Sequence, residues 1–263
     1  QAVGEGKEKV DIDITKNEFL FEYEPFVGYS NPNCIATPIL GILLGFNEPE
    51  QPTAEQFEWL NLFLAEAESA LVSYDFERIA EYFDIDSFVD FYIVNELFKD
   101  VDFSTSSTRF YLKKGRLYAG PLWDMDLSSG NVSEEAGYYG EYWNSNTSGD
   151  STESFYCRKI WYRELFGCQK FGELVRKRYA KLQPQIVNLT TDNELGLNRI
   201  DRLIAKYGKS FAANYEKAGW SVSYVYGEFE SRYPAKTYEG NVEYLREWLI
   251  RRNAWLLHEL GIS

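Results

Sequence analysis

Histidine is nearly missing from this chain: 263 residues contain one, His258. Histidine-built metal centres are therefore excluded. A Ser-His-Asp or Cys-His nucleophile would have to use His258, and no Gly-x-Ser-x-Gly turn accompanies it. Cysteine is also scarce. Cys34, Cys157 and Cys168 match no zinc spacing, and an odd number gives no complete disulfide framework. Cys157 and Cys168 stand in apolar stretches that read as helical, so buried free thiols are expected. Basic residues are outnumbered, 27 Lys plus Arg against 41 Asp plus Glu, a formal charge of −14. Such a surface repels phosphate backbones and excludes general nucleic-acid binding. It suits basic partners, divalent cations or a salty extracellular medium, and serves solubility equally well. No apolar run reaches the length of a membrane span. No signal-peptide pattern opens the chain. Gln1 to Lys9 reads as a polar lead-in, and the absence of an initiator Met points to a mature or excised segment.

What the chain has in quantity is apolar and aromatic material, 44% and 17% of its residues. That is enough for a sizeable core. The rings belong either to an unusually aromatic interior or to a binding face. Glu18 to Glu24 alternates polar and apolar residues and predicts a strand. Residues 25 to 34 read as a loop, and Ile35 to Phe46, interrupted by Pro38 and Gly41, as a short buried strand pair. Thr53-Ala-Glu-Gln56 is a capping box, followed by Phe57, Leu60, Leu64 and Leu71 at helical spacing. A short helix is expected over Asp75 to Phe83. A third, capped by Asp84 or Asp86, carries an almost wholly apolar body and is expected to be central. Thr108 to Leu112 and Arg116 to Ala119 predict a hairpin turning at Lys113-Lys-Gly115. Residues 132 to 152 read as a long surface loop. Beyond Ser154 helices are expected over 155–166, 169–187, 193–218 with a break, and 237–259. Asn131, Asn146 and Asn188 open glycosylation triplets by pattern. The expected class is α+β, mostly helical with a small antiparallel sheet, and no linker demands two domains.

The strongest chemical signal lies between Glu96 and Asn131. Asp100 and Asp102 end the apolar helix; one hairpin later Asp124 and Asp126 follow Trp123. Spaced by two, Asp124 and Asp126 share a face if the segment is extended. Carboxylates reached from two elements suit a hard cation, and Mg²⁺ typically takes one or two of them plus substrate phosphates. The order also parallels phosphoryl transfer, in which one Asp orients the acceptor hydroxyl and a second, after a hairpin, holds the metal. The residues alone equally allow two acidic turns flanking a hairpin.

Three stretches together resemble the CotH kinase family, the spore-coat CotH proteins and their relatives among secreted bacterial proteins. They are Asp84-Ile-Asp-Ser-Phe-Val-Asp-Phe-Tyr-Ile-Val-Asn-Glu-Leu97, Asp102, and Gly115 to Asn131 with its core Gly120-Pro-Leu-Trp-Asp-Met-Asp126 and Gly130-Asn131. The helix from Val242 to Leu257, with Trp248 and Arg251-Arg252, is similar to that family's ending. The strand ending Glu22-Tyr-Glu24 resembles the segment just after its N-terminal lobe. The resemblance covers most of the chain. It implies an atypical protein-kinase fold of which residues 1–263 form the C-terminal lobe, with most of the N-terminal lobe lacking. It implies transfer of phosphate from ATP to Ser or Thr of coat or surface proteins, with Mg²⁺ or Mn²⁺ and with Ca²⁺ as another candidate. Asp102 looks like the catalytic-loop Asp, and Asp124 or Asp126 like the metal-binding Asp, with Asp126 the first choice. Trp123 would wall the nucleotide pocket. Asn95 and Glu96 belong to the motif as supports of the loop and candidate cofactor contacts. Ser107 stands near the position where many members carry an Asn that holds a second metal. Lys7, Lys9 and Lys16 lie in the polar lead-in and do not replace a phosphate-contacting Lys. A bacterial spore coat, cell surface or secreted setting follows from the same resemblance.

A second reading comes from another class. It is a non-catalytic module that binds a divalent cation and serves assembly at a spore or cell surface, using the aromatic, acidic stretch from Tyr138 to Asp150. A paired-carboxylate hydrolase ranks third. With the nucleotide-covering lobe lacking, little phosphate transfer is expected from this chain by itself.

Overall fold

A computed structural model describes residues 17–25, 33–103, 106–131, 152–217 and 237–262. The stretch Tyr138 to Asp150, Asn146, and the lysines at 7, 9 and 16 lie outside the described residues. The chain divides into two compact units, each assembled from several segments. The first contains residues up to 95, 102–125 and 157–175; the second contains 96–101, 126–156 and 176 onward.

The first unit is built on a five-stranded antiparallel sheet in the order β2-β3-β1-β4-β5. Its strands are β1 (Phe19–Tyr23), β2 (Cys34–Ala36), β3 (Leu43–Glu48), β4 (Arg109–Lys113) and β5 (Arg116–Ala119). Alternation decides which face is covered. Phe19, Phe21, Phe110, Leu112 and Leu117 are fully buried, while their strand neighbours are half-exposed. Lys114 and Gly115 turn the β4–β5 hairpin, both at positive φ.

Helices α1 (Ala54–Val72), α2 (Phe76–Tyr82), α3 (Ile85–Phe98) and the short α4 (Tyr162–Gly167) follow. Thr53 and Gln56 form the reciprocal cap of α1, at 3.2 and 2.9 Å. Asp75 caps α2, and Asp84, whose Oδ1 accepts from Ser87 N at 3.0 Å, caps α3. The body of α3 is buried nearly all round, as its composition predicts. Phe88 lies 5.2 Å from Phe83 and 5.8 Å from Phe110, and Trp161 meets Phe110 edge-on at 4.9 Å. The aromatic load of this unit is thus largely interior. Glu68 is fully buried within it and fully used. One oxygen accepts from Trp161 Nε1, the other from the backbone N–H of Ile39 and of Leu40, all at 2.9 Å.

The second unit takes in the end of α3, most of α5 (Gln169–Val187), α6 (Arg199–Lys217) and α7 (Tyr238–Glu259). Arg252 of α7 is wholly buried, and all five of its N–H donors find oxygen. Nε and Nη2 donate to Glu96 O at 3.1 and 2.9 Å, and Nη2 also to Glu96 Oε1 at 2.6 Å. Nη1 donates to Thr152 O and Ser154 O at 2.8 and 2.7 Å. Glu96 Oε1 accepts in addition from Tyr156 N at 2.7 Å.

Those bonds correct one expectation. A helix over 155–166 is not formed; helix begins only at Tyr162. The carbonyls of 152 and 154 and the N–H of 156 are taken by side chains instead of by a helical ladder, and Ile160 sits at φ 55, outside helical geometry. Cys157 is accordingly not helical, although Cys157 and Cys168 are both buried free thiols as expected. The helix expected from 193 starts at Arg199. Before it, Asn193 and Gly196 exchange backbone hydrogen bonds and Asn198 accepts from Asp201 N at 2.9 Å. Asn188 is 8% exposed; its Oδ1 accepts from Arg202 Nη2 at 2.8 Å and its Nδ2 donates to Thr191 O at 3.0 Å, so both ends of its amide are engaged.

Arg252→Met should lower unfolding free energy by about 3–5 kcal/mol, because it strands a buried carboxylate. Arg252→Lys keeps the charge but has fewer donors in a different geometry, and should retain most of that loss. Urea unfolding measures both; a loss below about 1 kcal/mol for Arg252→Met would refute the role given to this pair.

Candidate functional site

The segment that carries Asp102 begins where α3 stops. Lys99, at φ 47, ends the helix in left-handed geometry, its N–H on Glu96 O at 3.2 Å. Lys99 and Asp100 are buried in the second unit, and Lys99 Nζ lies 6.0 Å from the centroid of the Tyr156 ring. Tyr156 in turn donates its hydroxyl to Val101 O at 3.0 Å. Asp102 follows, half-exposed, its backbone carbonyl accepting from Ser106 N at 3.1 Å.

The segment that carries Asp126 is clasped to the same lead-in. Val101 N donates to Leu127 O at 3.1 Å and Ser129 N to Phe98 O at 2.6 Å, both inside the second unit. Asn131 folds back, its Nδ2 on Asp126 O at 2.8 Å. Gly130 sits at φ 77, and a Cβ there would lie 2.6 Å from the Trp248 ring and the Tyr244 hydroxyl. The Gly-Asn pair therefore has a physical reason: Gly allows the turn and the close approach of Trp248, and Asn ties the turn to Asp126.

In the first unit, Trp123 and Asp124 are both exposed. The Arg109 guanidinium lies 3.9 Å from the centroid of the Trp123 ring. Its Nε and Nη2 donate to Glu22 Oε2 at 3.3 and 3.1 Å, while Glu22 Oε1 accepts from Ser107 N at 3.1 Å. Ser107 is buried at φ 56, with its Oγ 3.4 Å from Ser106 Oγ. Nearby Glu24 is held above the usual carboxylate range, chiefly by burial and then by the charge of Glu22. Asp124 itself stands at φ 52. The segment is therefore not extended at that residue, and the alternation argument for a face shared with Asp126 fails.

Asn95 and Glu96 occupy different surroundings although they are neighbours in sequence. Asn95 is buried in the first unit with Nδ2 on Phe91 O at 2.8 Å; Glu96 is the buried partner of Arg252 in the second. Both contacts brace the helix end. His258 is exposed beside Glu259, at 3.0 Å. Among the described residues no group of three or more His, Cys, Asp or Glu side chains gathers in a metal-holding cluster. Asp102 is half-exposed, and Asp124 and Asp126 are exposed.

The family described as CotH kinase protein matches residues 45–256, spanning the Asp102 segment, the Trp123–Asn131 segment and the Arg252 helix. The chain belongs to the CotH kinase family. No curated protein matches it. This CotH-family chain also shows two residues that sequence reading passed over, Glu22 and Arg109. Their signal was a strand pairing: the two stand directly opposite across β1 and β4.

Gly130→Ala should displace Trp248 or Tyr244 and lower the melting temperature by several degrees, about 1–3 kcal/mol for a forced close contact. Differential scanning calorimetry measures it; an unchanged transition would show that the Gly130–Trp248 approach is not restrictive.

Proposed function

We propose that this CotH-family chain is an ATP- and divalent-metal-dependent protein kinase acting on Ser or Thr of coat or surface proteins. In this reading the Asp102 carboxylate orients and accepts the proton of the substrate hydroxyl. Asp126, with Asp124, holds Mg²⁺ or Mn²⁺, which when bound neutralises charge on the nucleotide phosphates. Trp123 offers a ring to the nucleotide. Ser107 offers a weak oxygen where many relatives carry Asn. Asn95 and Glu96 hold the end of α3 from which the Asp102 segment departs. One observation supports this reading most: the pair of backbone hydrogen bonds, Val101 N to Leu127 O and Ser129 N to Phe98 O, which ties the residue before Asp102 to the residue after Asp126. A spore-coat or cell-surface setting belongs to the same proposal. Among the described residues no helix is long and apolar enough to cross a membrane.

A non-catalytic cation-binding assembly module is the second reading. The Ser at 107 favours it, because it stands near the position where many relatives carry the Asn that holds the second metal of phosphate transfer.

Asp126→Asn should abolish divalent-cation binding in calorimetric titrations with Mg²⁺, Mn²⁺ and Ca²⁺; unchanged affinity would remove Asp126 from the site. Asp102→Asn should leave cation binding intact and lower phosphate transfer to a Ser/Thr substrate by about 10²–10⁴-fold. Cation binding without ATP binding in the unaltered protein would decide for the assembly module.

A further inference from the structure

Glu22 lies on β1, 85 residues before Ser107 and 87 before Arg109, yet it contacts both. Its two oxygens do different work. Oε1 takes the N–H of Ser107, the residue that follows the Asp102 turn closed by Ser106 N on Asp102 O. Oε2 takes Nε and Nη2 of Arg109, whose guanidinium lies over the Trp123 ring beside Asp124. Arg109 also accepts Gly120 N on its carbonyl at 2.9 Å, so one residue meets both ends of the 120–123 segment. Ser107 and Asp124 both stand in the left-handed region, where an L side chain persists only if its surroundings hold it. The side chains of Glu22 and Arg109 are 16% and 17% exposed, shielded enough for a charged pair to impose geometry.

We infer that Glu22 is a positioning residue, joining the segment of Asp102 to the segment of Asp124 through Ser107 on one side and Arg109–Trp123 on the other. The inference rests on the kinase reading for its functional meaning. Glu22 touches no reacting atom in it; it sets the orientation in which the Asp124 segment meets a divalent cation. Neutralised by Glu22 and covered by Trp123, Arg109 serves the same end and is not the phosphate-binding cation.

The test uses the whole chain with Glu22→Ala, Glu22→Gln, Arg109→Lys and Arg109→Met. Two NMR readouts need no activity: hydrogen exchange of the Ser107 amide and the Trp123 indole resonance, assigned with Trp123→Phe. Glu22→Ala should raise Ser107 exchange and shift Trp123 together. Glu22→Gln keeps an acceptor for Ser107 and should shift Trp123 alone, which also serves if the alanine variant does not fold. A Trp123 resonance unmoved by both Glu22 variants overturns the joint. The third readout is Mn²⁺ affinity. Arg109→Met should weaken it about ten-fold, as loss of a ligand-orienting partner does, with Arg109→Lys between. Affinity that is unchanged, or that follows melting temperature and not the Trp123 shift, overturns the positioning role. If the unaltered protein binds no Mn²⁺, the metal reading fails, and the two NMR readouts still decide whether Glu22 joins the segments.

Discussion

The ion pair between Arg252 and Glu96 carries the second unit. A guanidinium taken out of water costs several kcal/mol unless its donors are all satisfied. Here it makes five hydrogen bonds to four oxygens, four of the bonds to backbone carbonyls, so Arg252 organises main chain more than it neutralises charge. The end of α3, the stretch 152–156 and α7 are given their places by this one side chain. The withdrawal of the 152 and 154 carbonyls from a helical ladder is its direct result. So is the position of Glu96, which leaves the segment of Asp102 starting from a braced point.

Backbone hydrogen bonds hold the segments that carry the acidic residues. Asp126 is presented by a loop bonded to residues 98 and 101 and closed by Asn131. Asp124 stands on a left-handed residue beside a Trp that Arg109 covers. No metal cluster gathers among the described side chains.

Local signals were readable where local physics decides. The Thr53–Gln56 box, the Lys113-Lys-Gly115 hairpin, the apolar body of α3 and the end helix from Thr237 were all legible, because capping, turn chemistry and periodicity act over a few residues. The Gly120–Asn131 motif pointed to the family but not to the reason for its residues. That Gly130 faces Trp248 across 118 positions, or that Arg252 removes the hydrogen bonds of a would-be helix at 152–156, depends on partners far along the chain. The same distance hid Glu22 and Arg109, whose contact depends on the pairing of β1 with β4. The extended reading of Asp124 failed because its φ is positive.

The separation between Glu96 and Arg252, 156 residues, also bears on the order of events during synthesis. A chain emerging from the ribosome exposes the whole sheet, with its local hairpins and the helices that cover it, long before α7 exists. Until Arg252 emerges, Glu96 lacks the guanidinium that matches its burial, and the 152–156 stretch lacks the donors that hold it out of helix. Closing so long a loop is slow compared with forming hairpins and single helices. The first unit therefore has time to consolidate while the second remains open, and Arg252 acts as a late lock, completing the lead-in to Asp102 only once α7 has emerged.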